Sequence, residues 1–410
     1  MKNNKSIRLF YAVEDYYPPW RVDLVELFSR QLARQGLDLA WSLQRSDKGP
    51  CTRIKFEGHT VFLPLGFGRA NNAEKLLTLL GARICDLGLF LHWLLGPRYD
   101  VLQTRDRRYL AAFLAWLAAR LRGSKFTYWL SFPFPENQHA KAEMRKGLWH
   151  QIDRLRGTLS SWYVYRFLMR RADHVFVQSD QMLEDVAAYG VPRSKMTVVP
   201  MGVAPRMLER ELGKQPVVEP GLVVYLGTLA RVRRMETLIT AFASVAERVP
   251  HARLAIVGEG DEGGERADLE RLTESLGIRH RVEFTGFVPL EAAWRWAERA
   301  AVCVSPVYPT PVLKPGSPTK LIEYLAMGKA VVANDHPDQS RVLGESGAGL
   351  CVRWNAQEFA DAICRLLSDD KGAAAMGARG PAWVKANRSY DVLATHVMAR
   401  YRKLITLPRG

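Results

Sequence analysis

At 410 residues the chain is longer than one hydrophobic core usually serves, which excludes a single small domain and points to two domains of about 200 residues each. With 48% apolar and 24% charged residues it has ordinary globular composition, which excludes a mainly disordered chain. A formal net charge of +16 implies an anionic partner: nucleic acid, a phosphorylated substrate or acidic lipid.

The first six residues are basic and lead directly into a strand-like run at 7–13, with no long apolar segment or small-residue cleavage site, so export is not expected. Residues 22–35 carry helical apolar spacing that stops at Gly36, and 37–43 read as a second strand. The alternation continues with a strand at 60–65, a helix near 74–95, a strand at 101–103, a helix at 109–121 and a strand at 125–130. Helices alternating with short apolar strands indicate a parallel, doubly wound sheet. The most apolar stretches, 88–95 and 110–121, fall short of the roughly 20 residues a spanning helix needs, so any membrane contact is expected to be peripheral. Within 141–171, eight basic residues (Lys141, Arg145, Lys146, Arg154, Arg156, Arg166, Arg170 and Arg171) face two acidic ones, Glu143 and Asp153, a local charge of +6. Trp149, Trp162, Tyr163, Tyr165 and Phe167 are interleaved. This is either a core helix pair with a solvated face or a basic, aromatic surface for anionic lipid.

Strands at 174–178 and 196–199 close the first half, and residues 204–220, with Pro205, Gly213, Pro216 and Pro220, read as a linker. The second half repeats the pattern: strands at 222–226, 253–257, 282–284, 302–304 and 330–333, helices at 235–248, 268–276, 291–299 and 319–327. The fold class is therefore α/β, two Rossmann-like doubly wound parallel-sheet domains facing a central cleft, divided at 205/206, with a helical segment at about 390–410 packing back on the first. Ligands of such sheets bind beyond the carboxyl ends of the strands. The five cysteines (51, 85, 303, 351, 364) lie far apart with no metal-ligand spacing, which fits a reducing cytosol.

Two segments carry phosphate chemistry. Gly227-Thr228-Leu229-Ala230-Arg231-Val232-Arg233-Arg234 follows a strand and precedes a helix, so a glycine turn offers backbone amides beside three guanidiniums. Lys314-Pro315-Gly316-Ser317-Pro318-Thr319-Lys320 leads into a second helix, with Ser317 as the expected N-cap and Pro318 in the first turn, so amides near Thr319 and Lys320 would face an anion. Glu323, one turn in, suits a ribose diol. Gly258, Gly260 and, after Gly286, Val288 stand just beyond two further strands; taken singly they read only as turns.

In order and spacing these motifs resemble the family 4 glycosyltransferases, retaining enzymes of the GT-B fold. The resemblance spans nearly the whole chain and is strongest over 222–352, in Tyr225-Leu226-Gly227, Ala255-Ile256-Val257-Gly258-Glu259-Gly260, Phe284-Thr285-Gly286 and Ser317-Pro318-Thr319-Lys320-Leu321-Ile322-Glu323-Tyr324. It implies that Arg233 takes the place of the usual phosphate-binding lysine and that Glu323 is the second glutamate of a Glu-seven residues-Glu motif. The first glutamate position is Pro315, the arginine usual after the glycine is Thr228, with Arg231 as its replacement, and the histidine after the fourth strand is Ser131. The expected catalytic set is Arg231, Arg233 and Lys320; the donor-binding set is Gly227, Thr228, Gly258, Gly260, Val288, Gly316, Ser317, Thr319 and Glu323. Neither metal nor cofactor is expected, the donor being a UDP- or GDP-sugar. The expected acceptor is a lipid-linked glycan at the cytoplasmic face of the membrane, reached by peripheral contact through 141–171. A sugar-nucleotide epimerase lacks acid/base groups here, and a nucleic-acid protein lacks aromatic readers. A catalytically silent partner subunit stays open, because three family positions are altered.

Overall fold

The computed structural model describes residues 6–68, 71–143, 145–209, 217–260 and 263–407. The chain separates into two compact units: one runs up to Pro200 and takes in the stretch from Tyr390 onward, the other is Met201–Ser389.

In the first unit, ten strands follow the apolar runs: β1 (Ile7–Tyr16), β2 (Leu37–Gln44), β3 (Lys48–Gly49), β4 (Thr52–Phe56), β5 (His59–Leu63), β6 (Gly66–Phe67), β7 (Val101–Arg105), β8 (Lys125–Leu130), β9 (His174–Val177) and β10 (Met196–Val198). Eight form one sheet in the order β10-β9-β8-β7-β1-β2-β5-β4, parallel except for β4, which pairs antiparallel with β5. β4 was not expected from the sequence. Its half-exposed Thr-Arg-Ile-Lys-Phe run turns back through Glu57 and Gly58, both at positive φ, a two-residue hairpin turn. The 22–35 helix is present, but Asp23–Leu32 is wound as a π-helix. It ends at Gly36, whose φ of +98° suits a residue without Cβ. Leu24, Leu27 and Phe28 pack with β1, β2 and the helix Tyr390–Thr406, which contributes Leu393, Val397, Met398 and Tyr401 to this core. The other sheet face carries the helices Asn72–Leu95 and Tyr109–Arg122 and the π-helical Trp162–Met169.

Asn72–Leu95 corrects a sequence expectation. It runs for 24 residues without a break, capped by Asn71, and by length and composition it is apolar enough to cross a membrane. The helix itself was expected near 74–95; polar Thr78, Arg83, Cys85 and Asp86 hid only the apolar length, because they sit between its leucines. Asp86 is fully buried in an ion pair with Arg108, and Leu89 and Trp93 belong to the core, so one face of the helix is fixed to the unit.

The second unit has six parallel strands, β11 (Leu222–Leu226), β12 (Arg253–Val257), β13 (Val282–Gly286), β14 (Val302–Ser305), β15 (Val331–Asn334) and β16 (Gly349–Val352), in the order β13-β12-β11-β14-β15-β16. Helices Glu236–Arg248 and Ala356–Leu367 cover one face, Leu290–Arg299 and Thr319–Ala326 the other. Strand order reverses between β11 and β14, so their carboxyl ends form the switch point where such sheets take ligands. Of the expected linker, Pro205–Leu208 is a short helix, while 210–216 lie outside the described residues.

Candidate functional site

Three glycines stack at the carboxyl ends of β11, β12 and β13. Gly227 and Gly258 both have φ of +145°, Gly258 bridges to Gly286, and a Cβ on Gly258 would stand 2.0 Å from the Gly227 carbonyl oxygen. Only glycine permits this approach. The Gly227 amide donates to Val257 O at 3.0 Å and the Leu229 amide to Glu259 O at 3.0 Å, which ties the two turns together. Gly260 is held locally, its amide donating to the neighbouring Glu259 carboxylate at 3.2 Å. Val288 is half-buried against the core beneath.

Beyond Gly227, residues Arg231–Arg233 form a 3₁₀ turn ahead of the helix Glu236–Arg248. Side chains in such a turn point a third of a turn apart, so the three guanidiniums do not converge as the sequence suggested. Arg233 folds back and donates through Nε to Thr228 Oγ1 at 2.9 Å. Arg231, expected in the catalytic set, has its guanidinium in a part-exposed ion pair at 2.7 Å with Asp268, on the helix Glu265–Ser275. Arg234, at φ +52°, turns its guanidinium over the Tyr308 ring.

The helix Thr319–Ala326 is pinned beside β11 by Tyr324, whose hydroxyl accepts the Leu226 amide at 2.7 Å. That docking sets Lys320 over the Tyr225 ring, with Nζ 4.1 Å from the centroid. A Cβ on Gly227 would fall 2.9 Å from the same Nζ. Among the described residues this ammonium has no hydrogen-bond partner. Burial, then the neighbouring Arg233, hold its pKa well below the ordinary lysine value, with Glu323 opposing. Burial pushes the Glu323 carboxyl up to about 7, drawn back by the Trp294 indole and Lys320. Lys320 and Arg233 thus place two cationic side chains beside a glycine turn whose Gly227 and Leu229 amides are already bonded to carbonyls, an arrangement able to receive an anion.

Ser317 is not the N-cap of this helix. Pro318 holds that position without a side-chain cap, and Thr319 is the first helical residue. Ser317 Oγ instead donates to Asp338 Oδ2 at 2.7 Å and accepts from the Met201 amide at 3.1 Å and from Arg388 Nη1 at 3.1 Å. Arg388 and Asp338 form a buried ion pair at 2.5 Å. Sequence reasoning missed this network because its members lie tens of residues apart without a local pattern. Gly316 closes a turn onto Leu313 O at 3.0 Å. Pro315, at the first glutamate position, is buried, so no carboxylate comes from there. Structure thus brings Gly227, Thr228, Gly258, Arg233, Lys320 and Glu323 into one neighbourhood and leaves Arg231, Gly260 and Ser317 in structural contacts.

In the first unit, a charged cluster lies at the strand ends. Ser131 donates through its amide and hydroxyl to Asp106, at 2.8 and 2.5 Å, and Arg105 joins Ser131 to Asp23 at 3.1 and 2.7 Å. Burial would raise the Asp23 carboxyl, but Arg105 and Arg21 hold it below the usual range. Burial raises Asp15 beside them. In the 141–171 stretch, helices Phe134–Glu143 and Leu148–Ser161 pack together. Trp149 and Trp162 are exposed, but Tyr165 is a core residue donating to Glu136 at 2.8 Å, so not every aromatic there faces outward.

Two family models match the chain: "Glycosyl transferase 4-like domain" over residues 23–202 and "Glycosyl transferases group 1" over 220–369. The chain is 29% identical over 213 residues to a GDP-mannose-dependent alpha-(1-6)-phosphatidylinositol monomannoside mannosyltransferase of Mycobacterium tuberculosis, a match covering 50% of this chain and 52% of that one. It thus spans about half the length of that relative. A D-inositol 3-phosphate glycosyltransferase of Corynebacterium urealyticum is 26% identical over 330 residues, 76% of this chain and 73% of that one. Among solved structures, a sucrose-phosphate synthase from Thermosynechococcus elongatus superposes with a TM-score of 0.73 at 20% identity, over 97% of this chain and 99% of that one.

Proposed function

The chain belongs to the family 4 glycosyltransferases of the GT-B fold, and from that premise we propose that it moves a sugar, with retention, from a nucleoside-diphosphate sugar to a lipid-linked acceptor. The observation that carries this reading is Lys320 beside Arg233 and the glycine turn, its Nζ over the Tyr225 ring and without a hydrogen-bond partner among the described residues. Burial and Arg233 disfavour the charged form of Lys320 despite Glu323, and a diphosphate supplies the counter-charge that favours it. Residues 206–389 hold the donor, with Glu323 on the ribose. Residues 1–205 and the helix from Tyr390 hold the acceptor. As the acceptor hydroxyl oxygen bonds to the anomeric carbon, the bond to the phosphate oxygen breaks, and the hydroxyl proton passes to the leaving phosphate on the same face. Negative charge grows on the diphosphate in that step, where Lys320 and Arg233 stabilise it without metal.

The acceptor we propose is a polyprenyl-phosphate-linked glycan of bacterial surface polysaccharide synthesis, met at the inner leaflet through the basic stretch 141–171. The Mycobacterium tuberculosis relative, whose name gives it a phosphatidylinositol mannoside as acceptor, supports a lipid substrate. Lys320→Ala and Arg233→Ala are each expected to lower turnover about a hundredfold, roughly 3 kcal/mol, in an assay of donor consumption with UDP- and GDP-sugars. Unchanged turnover in both variants overturns the assignment. A second reading, a silent partner subunit, rests on buried Pro315 in place of a carboxylate; nucleotide binding without any donor hydrolysis or transfer is its signature.

A further inference from the structure

The helix Asn72–Leu95 turns a continuous apolar stripe to the outside. Leu76, Leu80, Ile84, Leu87, Leu91 and Leu95 succeed one another every three or four residues, each between 52 and 81% exposed. That spacing keeps them on one side over the full helix length. The opposite side is fixed by the buried Asp86–Arg108 pair and by Gly81, where a Cβ would come 2.7 Å from Leu65 O. Such a helix cannot leave the unit to span a bilayer; it can lie along one.

A second stripe follows on the helix Leu148–Ser161 and its continuation, where Leu148, Leu155, Leu159 and Trp162 are 56 to 69% exposed. Between the two lies the helix Tyr109–Arg122, packed against Asn72–Leu95. Its Phe113 and Trp116 rings meet Phe167, which also stacks on Trp162. Half-buried aromatic rings thus connect this helix to the second stripe. The exposed charge of these helices is mainly of one sign: Arg154, Arg156 and Arg166 are exposed beside the second stripe, while Asp86 and Asp153 are buried and the half-buried Glu74 at the start of the first helix pairs with Lys48. Two copies of this face would repel each other, whereas anionic headgroups complement it.

We propose that these helices form one bilayer-docking face, in which the Asn72–Leu95 stripe enters the boundary between headgroups and acyl chains and the arginines of the second stripe meet lipid phosphates. The proposal rests on the membrane reading given above and deepens it, placing the apolar anchor outside 141–171. An interfacial helix binds through apolar area, which salt does not screen, while arginines act through charge, which it does.

Sedimentation of the full chain with vesicles of phosphatidylcholine, alone or mixed with phosphatidylglycerol, separates the two contributions. Wild type is expected to bind the mixed vesicles and to keep a salt-resistant fraction. The double variant Ile84→Glu, Leu87→Glu changes exposed positions, so its thermal unfolding and nucleotide binding should match wild type. Its vesicle affinity should fall about tenfold or more, with the salt-resistant fraction gone. Changing Arg154, Arg156 and Arg166 to Glu should remove only the salt-sensitive part. Binding unchanged in the arginine variant overturns the lipid-phosphate role of the second stripe, and binding lost in the stripe variant then leaves Asn72–Leu95 as the anchor. A stripe variant that sediments like wild type overturns the proposal, as does a wild type that ignores vesicles and forms a dimer the variant dissolves.

Discussion

Lys320 and Glu323 lie one helical turn apart, and their charges answer to the same burial. A carboxyl raised to about 7 is stabilising in its protonated form: that contribution is fully present below the ordinary glutamate pKa near 4.5 and is lost as pH rises through about 7. Relative to a Glu323→Gln variant, the ligand-free protein should therefore lose thermal stability between about pH 5 and pH 8, whereas the depressed Lys320 and His174 act in the opposite sense in both proteins. Glu323→Gln, neutral throughout, should flatten that slope, and a melting series across this range checks it. Tyr225 was legible only as part of a motif. That its ring lies under the Lys320 ammonium depends on Tyr324 docking the helix, a contact across 98 residues.

Glycine turns at three adjacent strand ends form the element-scale core of the site. Gly258→Ala puts a methyl group within 2.0 Å of a carbonyl oxygen at a backbone angle that side chains rarely adopt. The expected cost is on the order of 2 kcal/mol or more of stability, and the Gly227 turn must shift. Melting temperature and calorimetry with UDP and GDP measure the two effects; normal values in both refute the tight-approach account. The 3₁₀ turn at Arg231–Arg233 shows how an element redistributes a motif. A sequence run of three arginines looked like one cationic patch, yet the turn sends Arg231 to Asp268, Arg233 to Thr228 and Arg234 to Tyr308.

At the scale of the molecule, the chain leaves the first unit after Pro200 and returns at Tyr390, and the returning helix completes the first unit's core. Truncation after Ser389 would strip Leu393, Val397 and Tyr401 from that core while leaving the second unit whole. Scanning calorimetry should then show the first unit's transition lowered by many degrees. Nucleotide at a hundred times its dissociation constant should still raise the second unit's transition, by about 2.7 kcal/mol of stabilisation. A truncated chain that keeps both transitions in place would mean that the helix is dispensable.

The sequence by itself determined the α/β class, the doubly wound alternation and the family, because apolar periodicity and glycine-punctuated motifs are local signals that survive without knowledge of neighbours. The runs at 7–13, 37–43 and 222–226 are strands for that reason. Tertiary structure decided what locality cannot. Whether Ser317 capped a helix or joined Arg388 and Asp338 depended on partners 21 and 71 residues away. The outward direction of Leu80, Ile84 and Leu87 depended on Asp86 finding Arg108 and on Gly81 meeting Leu65. A leucine-rich helix reads the same whether its leucines face a core or the outside, since burial is settled by what packs against it.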